Sequence, residues 1–488
     1  MAEFDGTSKV AMLCGSNISG TLWSTHQIYQ TPSLGFGVAM KSLMDSALCF
    51  ALCFLGSTAN TLFAIQEQKP TKPNILLIMA DDFGYECVSS NGGQSYKTPN
   101  LDRLAASGVR FEHCHVQPLC TPTRAQLMTG RYNIRNYLNF GTLPRTEVTF
   151  GQLLKKSGYA TGICGKWQLG REVDSPQHFG FDESLLWQHT RRPARYANPG
   201  LEYNGKEVEY PLGSYGPKII NDFAIDFASR HKDHPFFLYY PMMLTHSPYQ
   251  PTPDSDRWDP AIQGEKQKDQ TSNFADMVEY MDKMVGRLDA KLSELGIRDN
   301  TLLIFLGDNG TGRTITSRFQ GVDLKGGKGT TTHLGTHVPL IVSWPGVLKE
   351  ARVLGDLVSS VDILPTICEA ASLEVKHTID GVSILPSLLG KSSTPRESLY
   401  CWYSPRQKLD LSVKEYAFNR EFKLYRTGEL YRIDKDPLEA IPLDSSNLDR
   451  EAQAAKQMLQ RTLDQYTNAR PPELDRQFVE SMKNTKTE

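Results

Sequence analysis

The sequence predicts an α/β fold: a large, mostly parallel sheet between helices, followed by a small antiparallel sheet with a helix. Three observations point that way. Asn74–Ala80 (NILLIMA) and Thr301–Gly307 (TLLIFLG) are continuous apolar runs of strand length, as expected of strands covered by helices on both faces. Between them, amphipathic helical stretches alternate with short apolar runs. Beyond about Lys391 the pattern changes to short strand-like segments separated by turn residues.

The chain has 488 residues, enough for one large domain with an appendage or for two or three domains. Its 39% hydrophobic and 22% charged residues are ordinary for a globular protein. A formal charge of −2 gives no reason to expect nucleic acid as a partner. Nine cysteines without a C-x-x-C pair argue against a disulfide scaffold. Residues 1–71 read as an N-terminal extension. Within it, residues 46–56 are apolar behind Met40-Lys41 and precede a small-residue Ser57-Thr58-Ala59 site. The run is too short to span a membrane and reads as a signal peptide over about residues 40–59, with translation starting at Met40. Export to a periplasm or the cell exterior, with no stable membrane span, follows. The alternative is a cytosolic chain that packs this run in its core.

The two apolar runs end alike. Asp81-Asp82 follow the first and Asp308-Asn309 the second. Adjacent carboxylates near a core are expensive unless a cation meets them, and in open α/β sheets the carboxyl edge is where ligands bind. Four hard oxygen donors without a thiolate or imidazole favour calcium, with magnesium second. Hydrogen-bonded loop carboxylates are the bland alternative, and two such clusters argue against it.

The remaining elements take their places around these strands. Residues 98–107 open as a helix that Gly108 stops, and 109–116 alternate as a strand with His113 and His115 on one face. Zinc on these histidines and a cysteine is conceivable, but no second ligand pair has the spacing. Residues 150–157 form a helix and 159–164 a strand leading to Gly165-Lys166-Trp167-Gln168-Leu169-Gly170, a loop that suits a site. Residues 186–215 hold Trp187, His189, Arg191, Arg192, Arg195, Tyr196 and Tyr203, a composition suited to sugar faces and anionic groups or to a plain solvated loop. A helix over 219–230 and a buried strand over 235–243 lead to His246, a better catalytic candidate than an isolated histidine. Residues 273–295 carry the apolar stripe of a core helix. Lys325-Gly326-Gly327-Lys328-Gly329-Thr330 lacks Walker spacing and is not a phosphate loop. A strand over 338–344 and a helix from 361 follow. Strands over 399–402, 416–419, 422–425 and 430–433, with a helix over 451–466, form the C-terminal unit. The polar tail 471–488 reads as disordered.

One stretch organises the chemistry: His113 to Arg131, with Leu119-Cys120-Thr121-Pro122-Thr123-Arg124 at its centre. Thr121 suits a helix N-cap and Pro122 the first helical position, and Gly130 ends the run. Cys120 then lies at a helix N-terminus, where anions are welcome, and Arg124 adds a planar cation one turn on. A buried structural cysteine and a low-pKa thiolate nucleophile are both compatible with this.

Cys120-x-Pro122-x-Arg124 with Leu127, Thr129, Gly130 and Arg131 resembles the signature of the type I sulfatases, and the resemblance extends from about Lys72 to Tyr466. It implies an alkaline-phosphatase-like sandwich, a catalytic domain over 72–395 and a C-terminal antiparallel subdomain over 396–470. It also implies that Cys120 is converted to formylglycine by a maturing enzyme, and that the hydrated aldehyde is the nucleophile. Metal ligands would be Asp81, Asp82, Asp308, Asn309 and the modified Cys120. Arg124, Lys166 and Lys328 would supply positive charge and Asp308 help deprotonate the attacking hydroxyl, while His246 would serve as acid for the leaving oxygen. Lys166, Gln168, His246 and Lys328 would line the substrate site. The chain departs from the family pattern at Gln168, where the family has histidine, and at His333 and His337, where an acidic residue and an arginine are common. The expected reaction is hydrolysis of a sulfate ester on a sulfated saccharide. A phosphonate or phosphodiester hydrolase and a non-catalytic binder of sulfated glycans are the alternatives.

Overall fold

The computed structural model describes residues 72–261, 270–392 and 394–484. The signal peptide and the start at Met40 lie outside the described residues. In chain order the main strands are β1 (Asn74–Ala80), β2 (Val109–His115), β3 (Ala160–Lys166), β4 (Glu183–Trp187), β5 (Leu201–Tyr203), β6 (Lys206–Val208), β7 (Phe236–Pro241), β8 (Thr301–Gly307), β9 (Thr316–Phe319), β10 (Val322–Lys325), β11 (His337–Ser343), β12 (Arg352–Ser359), β13 (Leu399–Tyr403), β14 (Lys414–Phe418), β15 (Phe422–Tyr425) and β16 (Leu430–Arg432). The helices that matter here are α1 (Pro99–Ala106), α2 (Cys120–Thr129), α3 (Phe150–Lys156), α4 (Gly216–Arg230), α5 (Phe274–Glu294), α6 (Ile363–Ala370), α7 (Arg450–Asp464) and α8 (Pro472–Asn484).

Ten strands form one sheet in the order β12-β2-β11-β8-β1-β7-β3-β4-β5-β6. The central run β8-β1-β7-β3-β4 is parallel throughout. β11 runs antiparallel to both its neighbours, so the sheet is mixed. In β1, Ile75, Leu77 and Met79 face a core shared with α2, α3 and α6. Leu76, Ile78 and Ala80 face a second core with α1, α4 and α5. Alternation sends successive side chains to opposite faces, so a strand apolar at every position requires a helical layer on each side. The expected stripe of α5 is buried at Phe274, Met277, Val278, Met281, Met284, Val285, Leu288 and Leu292.

β13 to β16 form the expected four-stranded antiparallel sheet. One face, carrying Tyr400, Trp402, Phe422 and Leu424, packs against Ala452, Ala455, Leu459 and Leu463 of α7 and against Tyr132 and Tyr137. The tail departs from expectation: residues 472–484 are helical rather than disordered. The cause is a short i, i+4 stripe, Leu474 and Phe478, that the polar composition conceals. Phe478 is fully buried beneath the Arg406 guanidinium, 4.5 Å from the ring centre, and Asp475 pairs with Arg470 at 2.6 Å and Arg406 at 3.0 Å. Phe478→Ala should therefore destabilise the protein by about 3–5 kcal/mol, measured by equilibrium denaturation; a change under about 0.5 kcal/mol would show that this helix is not docked.

Candidate active site

Because β8, β1, β7 and β3 are parallel neighbours, their carboxyl ends share one edge of the sheet. That edge carries Asp308 and Asn309 after β8, Asp81 and Asp82 after β1, His246 beyond β7, and Lys166 as the last residue of β3. Lys166 thus belongs to the strand itself rather than to a loop. Backbone pairing continues past the strands: Thr245 N–H donates to Asp81 O at 2.7 Å, and Asp308 N–H to Ala80 O at 3.0 Å. Asp82 adopts a left-handed φ of 60°, a conformation that a non-glycine residue holds only where its surroundings fix it.

The side chains converge. Lys166 Nζ donates to both oxygens of Asp81 at 2.9 Å. Lys328 Nζ lies 2.6 and 2.7 Å from the two oxygens of Asp82. The Cys120 thiol donates to Asp81 Oδ1 at 3.5 Å. Asn309 Nδ2 donates to Asp82 Oδ1 at 2.9 Å. Asp308 accepts from Asp82 N–H at 3.0 Å and from Arg124 at 2.9 Å. His246 Nε2 is 3.8 Å from Asp82, and its Nδ1 is 2.5 Å from Ser247 O. Every site residue expected from the sequence except Gln168 is thus tied into one network.

Two expectations about the organising stretch need correction. The helix begins at Cys120 itself, with Leu119 as N-cap and no side-chain cap. Thr121 accepts instead from Gly141 N–H, and Thr123 donates to Leu119 O and to Asp308 O. The reason is tertiary: the Thr123 hydroxyl joins the first turn to the Asp308 carbonyl just past β8, and the Thr121 hydroxyl is taken by the Gly141 amide instead of capping the helix. Arg124 is a strut under the site. It is fully buried, with one nitrogen on Lys166 O at 3.0 Å and the other on Asp308.

Electrostatics follow from burial and neighbours. Burial alone would raise the Asp81 carboxyl, but Lys166, His246 and Arg124 outweigh it and hold it well below the usual range. Burial, reinforced by Asp81, pushes Asp308 up to about 6. Burial and the Asp308 charge push the Cys120 thiol up to about 12, the opposite of a thiolate nucleophile. Burial pushes His246 down to about 3 against the pull of Asp82.

Part of this edge could hold a metal ion. Single ligand atoms of Asp81, Asp82, Cys120 and His246 lie within 4.8 Å of one another, and Asn309 Oδ1 is buried with no hydrogen-bond partner. Asp308 stands outside that foursome because Arg124 and the Asp82 amide hold its oxygens.

Comparison with known proteins decides what this edge belongs to. The sulfatase family profile matches residues 73–373. The chain belongs to the sulfatase family. It is a type I sulfatase of the alkaline-phosphatase superfamily, with that superfamily's α/β sandwich, and thus a sulfuric ester hydrolase. A second profile, N-sulphoglucosamine sulphohydrolase C-terminal, matches residues 332–469. Arylsulfatase A of Bos taurus is 35% identical over 67% of this chain and 70% of its own. N-acetylgalactosamine-6-sulfatase of Canis lupus familiaris is 33% identical over 68% and 69%. The crystal structure of Ps i-CgsB in complex with k-i-k-neocarrahexaose superposes with a TM-score of 0.69 at 28% identity, covering 82% of this chain and 94% of that one.

Within this sulfatase, Arg195 is a site residue that the sequence offered only as one of several arginines in a loop. It is buried and stacked 3.9 Å over Trp187, with Nη1 3.8 Å from Asp81. Gln168 has a left-handed φ of 59° and a buried Oε1 without a partner. Among the described residues no histidine replaces the one missing there. His189 binds Glu172 O at 2.9 Å and faces Glu202. His113 stacks on His337, His115 packs with His333, His337 and Phe418, and Tyr85 stacks on His337. The same packing answers the zinc reading: these imidazoles stack on rings instead of converging on a point.

This imidazole cluster gives the fold a pH dependence. Desolvation and mutual repulsion push His333 down to about 3 and His337 to about 4, and His115 well below its usual value. Lys423 adds to the repulsion at His115 and His333, and Arg420 lowers His113 against Glu112. In the unfolded chain each histidine titrates near ~6.5. Between that value and the folded one, only the unfolded chain is protonated, so stability present above pH ~6.5 is lost as pH falls, by about 1.4 kcal/mol per unit per histidine. His333→Phe should remove about one proton's worth of that slope, read from denaturation between pH 4.5 and 7; an unchanged slope would mean His333 is already charged in the folded protein.

Proposed function

We propose that this sulfatase hydrolyses sulfate esters on a saccharide, with a formylglycine made from Cys120 and a calcium ion held by Asp81, Asp82, Asp308, Asn309 and the modified Cys120; magnesium is the second choice of ion. The observation that carries the reading is the setting of Cys120. It is 1% exposed, begins α2, and lies against Asp81 and Asp82, whose lysine partners are Lys166 and Lys328. A thiol in that setting is a poor nucleophile, whereas a hydrated aldehyde offers one hydroxyl to attack sulfur and another to expel sulfate. The cation, when bound, supplies further positive charge to the sulfuryl oxygens.

The chain's own residues do the rest. With Asp81 and Asp82 serving as ligands of the ion, Lys166 and Lys328 would hold the sulfuryl oxygens. Arg124 fixes Asp308, which accepts a proton beside position 120. His246 is neutral in the free enzyme; an anionic ester beside it raises its proton affinity, and Nε2 donates that proton to the leaving oxygen. A sugar as leaving group is supported by the oligosaccharide in the Ps i-CgsB complex. Because Cys120 is buried in the folded chain, the maturing enzyme must meet it before folding is complete. The apolar run at residues 46–56 supports export to a periplasm or the cell exterior.

Mass spectrometry of the Cys120 peptide from active protein should show an aldehyde in place of the thiol. Cys120→Ala should keep the calcium-dependent rise in melting temperature and lose sulfate release; full activity in that variant would sink the mechanism.

Gln168 can accept and donate hydrogen bonds but cannot carry a proton at neutral pH. Its unpartnered Oε1 suits a sugar hydroxyl. Gln168→Ala should mainly raise KM, and Gln168→His should gain little. A kcat rise approaching ~100-fold in Gln168→His, the usual worth of a general base, would show that a missing proton acceptor limits turnover.

A further inference from the structure

Beside Lys328 the protein has two cavities that share Arg313 and Gly329. The inner one, about 360 Å³, is bounded by Leu119, Lys328, Tyr403 and Gln407. The outer one, about 770 Å³, runs along Thr330 and Thr331 and the C-terminal sheet, past Lys414, Tyr425 and Tyr431. Together they make a groove leading from the reacting end of the site to the far strands of the small sheet. The outer part alone has the size of a ligand pocket, ~300–1,000 Å³.

The shared residues keep the passage shaped. Arg313 Nε donates to Lys328 O at 2.7 Å, which fixes the guanidinium at the junction. Gly329 has a φ of +80°, and a Cβ there would lie 3.1 Å from Arg313 Nη2, so a side chain would be strained and would crowd the junction.

The lining has a charge preference. Arg426 is paired with Glu415 at 2.6 Å, and Glu439 is held by Lys423 at 2.7 Å and by the Tyr425 hydroxyl at 2.6 Å. Arg313 and Lys414 have no carboxylate partner among the described residues, while Glu429 is the one lining carboxylate that lacks a cation there. Two unpaired cations against one unpaired carboxylate favour an anionic ligand. Tyr425 and Tyr431, 5.8 Å apart and edge-to-face, add apolar surface of the kind that sugar rings cover.

We propose that this groove binds the continuation of a saccharide chain whose sulfate ester sits at Lys328, with an anionic group of a neighbouring sugar at Arg313 and Lys414. The inference rests on the sulfated-saccharide reading above and adds to it that the enzyme reads more than one sugar. Lys414, exposed at the start of β14, is the residue to test, because it lies outside the reacting end.

The experiment compares wild type, Lys414→Glu and Lys414→Arg on 4-nitrophenyl sulfate and on size-fractionated carrageenan and heparin oligosaccharides of two to six sugars. Sulfate release is measured on the active proteins and binding by calorimetry on the Cys120→Ala protein. Wild-type kcat/KM should rise about tenfold or more with chain length in one series. Lys414→Glu should lose about tenfold of that through KM, Lys414→Arg should retain it, and all three should turn over 4-nitrophenyl sulfate equally. Oligosaccharide binding that depends on Lys414 in a protein that releases no sulfate would overturn the sulfatase reading and support the groove. Length-independent kinetics and binding in both series, or equal losses on 4-nitrophenyl sulfate and the longest oligosaccharides, would overturn the groove.

Discussion

The structure depends on holding three carboxylates, Asp81, Asp82 and Asp308, out of water at one sheet edge. All three are at most 2% exposed. Burying a charge costs several kcal/mol unless it is paired and hydrogen-bonded, and removing one partner of a buried pair costs about 3–5 kcal/mol. Each carboxylate therefore has its own cation: Lys166 for Asp81, Lys328 for Asp82 and Arg124 for Asp308. These come from three different segments, the end of β3, the 326–332 loop and α2, so the charge balance also locks the parts of the fold together. The Arg124–Asp308 pair, with both side chains fully buried, ties the helix that begins at Cys120 to the end of β8.

The same arrangement accounts for the chemistry offered to position 120. A helix N-terminus alone would favour a thiolate. Here desolvation and the nearby Asp308 carboxylate outweigh the two lysines, and the thiol is pushed up to about 12. A thiol held protonated at this position is a weak nucleophile, which is one support for a modified side chain as the reacting group.

How far the sequence could be read depended on how local each determinant is. β1 and β8 were legible because the runs Ile75 to Ala80 and Leu302 to Leu306 are apolar at every position, which only a strand covered on both faces tolerates. The acidic pairs after them were legible as a site because parallel neighbours must end on one edge. The Cys120 motif and the position of Lys328 came through resemblance to a family. Long-range determinants stayed hidden. Arg124 looks like a substrate cation until Lys166 O and Asp308 are seen to occupy it. The first turn of α2 is tied to the Asp308 carbonyl, nearly two hundred residues away, through the Thr123 hydroxyl. Arg195 acquires meaning only once Trp187 and Asp81 lie beside it. The final helix rests on two apolar residues, Leu474 and Phe478, too few to register against a polar background. His113, His115, His333 and His337 come from two stretches more than two hundred residues apart, and only the antiparallel pairing of β2 with β11, which sets His115 opposite His337, brings them together.

The 326–332 loop is the joint between the sulfate end of the site and the C-terminal sheet. Gly329 N–H donates to Pro118 O at 2.8 Å, in the segment leading to Cys120. Lys328 reaches Asp82, and its own carbonyl is held by Arg313. Three residues on, the Thr331 hydroxyl meets the Tyr425 hydroxyl at 2.8 Å and its carbonyl accepts from Lys423. A loop fastened at both ends transmits position, so the C-terminal sheet helps set where Lys328 stands over Asp82. The small sheet therefore belongs to the catalytic architecture as well as to the surface beside it: one of its strands anchors the loop that carries a cation of the active site.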